Sequence, residues 1–307
     1  MKVWTHRYEL VSTQAGRRTR NGVLLKVDWA SNEVGYSDLH PWPEFGEPAL
    51  EHHLLSLGGS ELTPLVELSL EYNWLDREFR KRHRNAFLGL ALPRSHKLVG
   101  DLKFINQNDL SMWQKAGFTH LKIKLGDRID DETAALTRVV NTSDFQLRLD
   151  LNAKLSCAEF TAWWSQLDDG LKAKIDFIED PTGDRPLTFA GPWANDWKVQ
   201  ELATVTVLKP VRESVAQIEK AKSRQRVVFT HGLDHPLGQA AALWAAADFY
   251  RRHPEKAEVG GFAAADIYEP NEFSAVWHCP GPLMKPPSGT GFGFNKILES
   301  LTWERIL

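Results

Sequence analysis

From about residue 98 to residue 265, short apolar runs alternate with longer stretches whose apolar positions recur at helical spacing. The runs Leu98–Ile105, His120–Leu125, Gln146–Leu151, Ile175–Glu179, Val205–Lys209 and Val227–Thr230 predict strands. Between them, Asp130–Asn141, Cys157–Leu167 and Ser214–Ser223 predict helices. Alternation of this kind signals parallel strand–helix–strand units, closed into a barrel or doubly wound. No glycine-rich turn follows the first strand, which argues against a dinucleotide-binding sheet. Residues 1–97 read differently. Met1–Val11 and Val23–Val34 predict antiparallel strands, and Glu47–Leu57 and Leu65–Lys81 predict helices. A Pro/Gly-rich stretch, Pro280–Gly293, precedes a last predicted helix, Asn295–Ile306.

In a strand, alternate residues share a face. Leu147, Leu149 and Leu151 therefore lie on one face of their strand, and Arg148, Asp150 and Asn152 on the other. The same reading puts Lys122 and Lys124 together, with Leu121, Ile123 and Leu125 opposite. Because the apolar face must meet the helices, the charged groups point inward. Glu179 closes a strand whose inner positions would be Ile175 and Phe177, and Lys209 closes another after Val205 and Val207. One inward Lys or Asp by itself is an ordinary paired structural residue. A whole ring of them, at the C-terminal ends of successive strands, lies where barrel active sites lie. Buried ions cost several kcal/mol each unless countered, so such a ring needs a purpose.

Composition changes this picture little. Apolar residues make up 42%, charged residues 25%, and the formal net charge is −3, so nothing points to a nucleic-acid partner. Two widely separated cysteines, Cys157 and Cys279, form no metal-binding pair and favour a reducing compartment. The N-terminus carries no apolar signal region, and no run of apolar residues is long enough to span a membrane. The expected location is the cytoplasm, with no membrane partner. The run Ser288–Gly293 follows no strand and opens no phosphate-binding unit, so it reads as a glycine-rich turn.

Carboxylates at neighbouring strand ends suit a hard divalent cation. Two lysines flanking it suggest proton transfer at carbon. A lysine pKa of about 10.4 must fall to roughly 7–8 for it to act as a base near neutral pH, which nearby positive charge and partial burial can bring about.

These motifs resemble those of the enolase superfamily. His120-Leu-Lys-Ile-Lys-Leu-Gly126 looks like its Lys-x-Lys strand end, and Leu147-Arg-Leu-Asp-Leu-Asn152 resembles its Arg-x-Asp-x-Asn strand. Phe177-Ile-Glu-Asp-Pro181 is similar to its next acidic strand end, and Val207-Leu-Lys-Pro210 to its opposing lysine. The o-succinylbenzoate synthase branch is the closest match. Arg17-Arg-Thr-Arg-Asn-Gly-Val-Leu-Leu-Lys26 and the stretch Gly35–Gly46 look like that branch's lid loop and the turn beyond its second strand.

The resemblance implies an α/β fold: a modified (β/α)8, TIM-like barrel over residues 98–265 under an α+β capping domain built from 1–97 and 266–307. It implies a lyase that dehydrates a 2-succinyl-6-hydroxycyclohexadiene carboxylate through an enediolate, in menaquinone synthesis. Lys124 would be the base, Lys209 would steady the intermediate by cation–π contact, and Lys122 and Arg148 would tune base and metal shell. Asp150 and Glu179 would bind Mg2+, or alternatively Mn2+. Arg148, Asn152, Thr230, His231, Gly232 and Gly261 would contact the substrate, a small-molecule carboxylate. In the stretches Thr230–Gly232 and Gly260–Gly261, backbone N–H groups would receive its anionic end. Trp42, beside the lid, is placed to touch it. A monomer is expected.

The family's third metal ligand has no matching motif, and the interval Pro181–Lys209 is short. Asp196 is the choice, because enough chain follows it to return to the bottom of the barrel. Glu201 and Asp184 are its rivals. N-acylamino acid racemases and dipeptide epimerases use the same two lysines, and a non-catalytic binding or scaffold barrel is the alternative from another class.

Overall fold

The computed structural model describes residues 1–307 except 14–17, 31, 184–188, 190, 197–202, 264–266 and 278–280. The N-terminal strands β1 (Lys2–Val11), β2 (Thr19–Asp28) and β3 (Val34–Leu39) form an antiparallel sheet. The expected single strand Val23–Val34 is broken by a turn. Trp29 N donates to Glu33 O, and Asn32 takes a φ of 76°, a left-handed conformation that Asn tolerates. Helices α1 (Leu50–Ser56) and α2 (Pro64–Lys81) cover this sheet. Pro64 starts α2 at a position whose N–H has no helical partner. Leu65, Val66 and Leu70 then pack on Val23, Leu25, Val27 and Leu39.

The second sheet is parallel. Its strands are β4 (Lys97–Val99), β5 (His120–Lys124), β6 (Gln146–Asp150), β7 (Ile175–Glu179), β8 (Trp193–Asn195), β9 (Val205–Leu208) and β10 (Arg226–Phe229), neighbours in that order. Helices α3 (Gln107–Lys115), α4 (Ile129–Thr142), α5 (Cys157–Gln166), α6 (Asp169–Lys174) and α7 (Val215–Lys220) lie between them. β4 is shorter than expected, because Asp101 caps a 3-10 turn over Leu102–Phe104. Leu121, Ile123, Leu147 and Leu149 pack outward against Leu136, Val139 and Phe160 of the helices, while Phe177, Ala194, Val205, Val207 and Val228 form an inner cluster. One inward expectation is corrected. Ile175 packs in the outer cluster, because the register slips between the pairs Leu147–Ile175 and Arg148–Phe177, leaving Asp176 as an extra residue.

Isolated parallel bridges Thr230–Gly261 and Ser95–Gly260 link β10 back to the segment before β4, giving a curled, barrel-like α/β fold. Only glycine fits there: a Cβ on Gly260 would stand 2.8 Å from Phe229 O, and one on Gly261 2.8 Å from Thr230 Cγ2.

Helix α8 (Pro236–Arg252) has no counterpart among the sequence expectations. Its alanines and Leu243, Trp244 and Phe249 are buried in a cluster that draws Val227 and Phe229 from one side and Tyr72 and Phe292 from the other. A helix buried on both sides carries no amphipathic period. After α9 (Glu272–Val276), α10 (Asn295–Ser300) ends six residues earlier than expected, and β11 (Glu304–Arg305) pairs with β1 instead. Among the described residues, no helix is long and apolar enough to cross a membrane.

Asp76 joins the two chain ends. It is fully buried, accepts from Tyr36 N at 2.9 Å and Phe292 N at 2.6 Å, and pairs with Arg80. Asp76→Ala should cost about 3–5 kcal/mol in denaturant unfolding, because two backbone donors and a guanidinium lose their acceptor. A loss below about 1 kcal/mol would contradict this role.

Candidate active site

The strand ends of the parallel sheet open into a cleft of about 620 Å³. Its walls include Lys122, Lys124, Asp150, Asn152, Asp196 and Lys209, together with Arg18, Arg20 and Trp42 from the N-terminal segment. Tight turns set these side chains. Leu125 N donates to Asp150 O, and Leu151 N to Glu179 O, so each strand end braces the next. Asn152, Ala153 and Asp180 all take positive φ, at 48°, 56° and 44°. Non-glycine residues persist in this conformation only where the surrounding structure over-determines them.

Lys122 sits among the acids. Its Nζ donates to Glu179 Oε1 at 2.6 Å and lies 3.1 Å from Asp150 Oδ2. Burial works against its charge, but Glu179, Asp150 and Asp196 outweigh that and hold the ammonium well above its usual range. Burial pushes Glu179 up, against the pull of Lys122, and pushes Asp180 up to about 6, helped by the charge of Asp196. Asp196 pairs with Lys209, and that charge, against burial, holds it below the ordinary carboxylate range. Lys124 ends β5 exposed on the cleft, with no acidic partner among the described residues.

Glu179, Asp180 and Asp196 offer oxygens within 4.8 Å of one another, while Asp150 joins this group through Lys122. Hard oxygen donors gathered this closely fit a divalent cation. Sequence reasoning gave Asp180 no role, although it stands in the quoted Glu-Asp-Pro motif. Asp184 and Glu201, the rivals of Asp196, lie outside the described residues.

Lys209 is held from the N-terminal side. Pro210 follows Lys209 and keeps it extended, and the buried Trp42 ring lies 5.6 Å from Lys209 Nζ. The same ring faces Arg20 Cζ at 5.0 Å and Arg212 Cζ at 4.7 Å, and Arg212 also reaches His40 O and Glu47.

Three substrate-contact expectations change. Arg148 lies beneath the cleft rather than on its wall: its side chain is fully buried, bonded to Asp176 at 2.8 Å and Val259 O at 2.6 Å. Asn152 faces the cleft, but its amides bond Asp150, so it also shapes the turn. The expected backbone anion site is overturned, since every N–H in it is spent. Thr230 donates to Leu208 O, His231 to Gly261 O and Gly232 to Asp234 Oδ2; Gly260 donates to Arg94 O and Gly261 to Phe229 O. Gly261 and Thr230 still line the cleft, through their surfaces and the Thr230 side chain.

His231 also lines it. Leu233 N donates to its Nδ1 at 2.9 Å, so the proton of the neutral ring sits on Nε2, which has no protein partner among the described residues. Leu233 reaches this position at φ 56°, with its carbonyl held by Tyr268 at 2.8 Å.

The comparisons with known proteins agree with the motifs. A family model described as O-succinylbenzoate synthase, N-terminal domain, matches residues 3–79. The o-succinylbenzoate synthase of Bdellovibrio bacteriovorus is 29% identical over 309 residues, covering 94% of this chain and 92% of that protein. The crystal structure of o-succinylbenzoate synthase from Thermosynechococcus elongatus BP-1, complexed with Mg in the active site, is similar at 20% identity and TM-score 0.63 over 88% of this chain and 95% of that one. The dipeptide epimerase of Enterococcus faecalis V583 is similar in fold, at 15% identity and TM-score 0.74 over 95% and 99%. The resemblance to the enolase superfamily and its o-succinylbenzoate synthase branch therefore stands.

Burial, with Lys209 and Lys122 nearby, pushes His231 down to about 3. Its ring should stay neutral across the range where a free histidine titrates, so its donor role should not vary with pH there. The His231 ring resonance, identified by its loss in His231→Gln, should not move between about pH 5 and 8; a midpoint near 6.5 would contradict the assignment.

Proposed function

We propose that this chain is an o-succinylbenzoate synthase, a lyase that removes water from a 2-succinyl-6-hydroxycyclohexadiene carboxylate to give an aromatic diacid for menaquinone synthesis. The observation that carries it is one cleft holding two lysines, Lys124 and Lys209, beside Asp150 and Asp196, in a chain similar over 94% of its length to a known enzyme of that activity. That similarity sets aside the scaffold alternative.

In this reading the parallel sheet is a modified (β/α)8 barrel over residues 98–265, with Gly260–Gly261 as its eighth position. Residues 1–97 with 266–307 form the cap. The pairing of β11 with β1 and the Asp76 bonds support joining the two chain ends in one cap. Asp150, Glu179 and Asp196 would hold Mg2+, for which Mn2+ could substitute, and Lys122 balances the acids around it. When bound, the cation stabilises negative charge that builds on the substrate carboxylate as the neighbouring carbon loses its proton.

Lys124 removes that proton, breaking the C–H bond. The hydroxyl on the adjacent ring carbon then departs as water, taking a proton that the Lys124 ammonium now holds, and the ring becomes aromatic. Lys209, paired with Asp196 and backed by Trp42, would face Lys124 across the cleft as a fixed positive charge. Its ammonium steadies the electron-rich ring during the loss of water. His231 Nε2–H is a neutral donor for a substrate oxygen.

Lys124→Ala should lower turnover, followed as aromatic product by ultraviolet absorbance, by about 10²–10⁴-fold. The Mg2+-dependent rise in melting temperature should persist in that variant and vanish in Asp150→Asn. Retained turnover in Lys124→Ala would reject it as the base. A wild-type protein that binds Mg2+ and exchanges the α-hydrogen of N-acylamino acids, without forming aromatic product, would transfer the same lysines to racemisation.

A further inference from the structure

We propose that the Arg18 guanidinium is the subsite for a second substrate carboxylate, remote from the one beside the acid cluster, so that the cleft selects dianions. This rests on the dehydratase reading and assigns its distal end.

The cleft is rich in cations, and nearly all of them are spoken for. Lys122 serves Asp150 and Glu179, Lys209 pairs with Asp196, and Lys154 lies 2.6 Å from Asp127. Arg20 pairs with Glu44 at 2.7 Å and reaches the Tyr268 hydroxyl at 3.4 Å. Among the described residues that leaves two lining cations without an acidic partner, Lys124 and Arg18. The first is accounted for as the base. The second comes from the N-terminal segment, away from the strand ends.

Its backbone is firmly placed. Ser12 N donates to Arg18 O at 2.9 Å, Ser12 bridges to Tyr268, and Thr13 reaches Ile267 O through both its N–H and its hydroxyl. The side chain above this stitching is exposed on the cleft. Leu98, Leu233, Ala263 and Ile267 supply apolar wall suited to a ring and methylenes. The backbone donors of 230–232 and 260–261 are already used, so a second carboxylate there must be met by a side chain. A guanidinium fork matches a carboxylate in shape and charge. A bound divalent cation makes the cleft more positive still, favouring a dianion. A dipeptide would bring an ammonium to this end and be repelled, so the sign of this subsite separates dehydratase from dipeptide epimerase.

The test is calorimetric binding of o-succinylbenzoate, and of the same molecule with its succinyl carboxylate made an amide, to the Mg2+-loaded protein and to its Arg18→Gln and Arg18→Lys variants. The unaltered protein should favour the diacid about tenfold, the scale of one hydrogen bond between charged groups. Arg18→Gln should bring that ratio to about one, Arg18→Lys should keep an intermediate ratio, and melting temperatures should not change. An unchanged ratio in Arg18→Gln, or an amide that binds the unaltered protein as tightly as the diacid, overturns the subsite. Turnover is read separately. Aromatic product with an unmoved ratio fells the subsite alone, whereas no aromatic product fells the dehydratase reading and leaves the binding ratio to judge Arg18.

Discussion

Asp150, Glu179, Asp180 and Asp196 gather at the ends of β6, β7 and β8, and among the described residues the ammonium groups of Lys122 and Lys209 touch Asp150, Glu179 and Asp196. In a poorly solvating interior such a gathering of carboxylates is costly unless it is countered. The cost shows in Glu179 and Asp180, both of which burial pushes above the ordinary carboxylate range. A divalent cation would relieve it, and the proposed roles of the other side chains follow from that need. Lys122 is tied to two acids and so cannot serve as a free base. Lys124, two residues on and on the same face, has no such tie among the described residues and meets the cleft.

Precision in this site comes from backbone that is either strained or fully bonded. Positive φ angles at Asn152, Ala153, Asp180 and Leu233 cost energy that the surrounding hydrogen bonds offset. Since the N–H groups of 230–232 and 260–261 bond within the sheet and its loops, an anion there would have to be met by side chains. Trp42 extends this principle to the N-terminal segment: one buried indole faces Arg20, Lys209 and Arg212 together, linking the cleft's cations to the sheet beyond.

The strands that carry the chemistry were legible in the sequence, because period-two alternation separates Leu147, Leu149 and Leu151 from Arg148 and Asp150 without any knowledge of partners. What stayed hidden depends on neighbours distant in the chain. Helix α8 is buried on two sides and so has no polar face to reveal it. The bulge at Asp176 turns Ile175 outward, and Arg148 and Arg226 share its carboxylate. A motif can name Glu179 but cannot say that Asp180, one residue on, bends back toward Asp196. Likewise the small residues at 230–232 and 260–261 suggested open donors, whereas Gly260 and Gly261 allow a close strand approach that uses their donors up, and Gly232 gives its own to Asp234.

The most direct test is a crystal soaked in Mn2+ and examined by anomalous scattering. The account predicts one strong peak within about 2.5 Å of carboxylate oxygens from Asp150, Glu179 and Asp196, with the amines of Lys124 and Lys209 on either side. A peak coordinated by Asp180 in place of Asp150, or no peak between the two lysines, would contradict it.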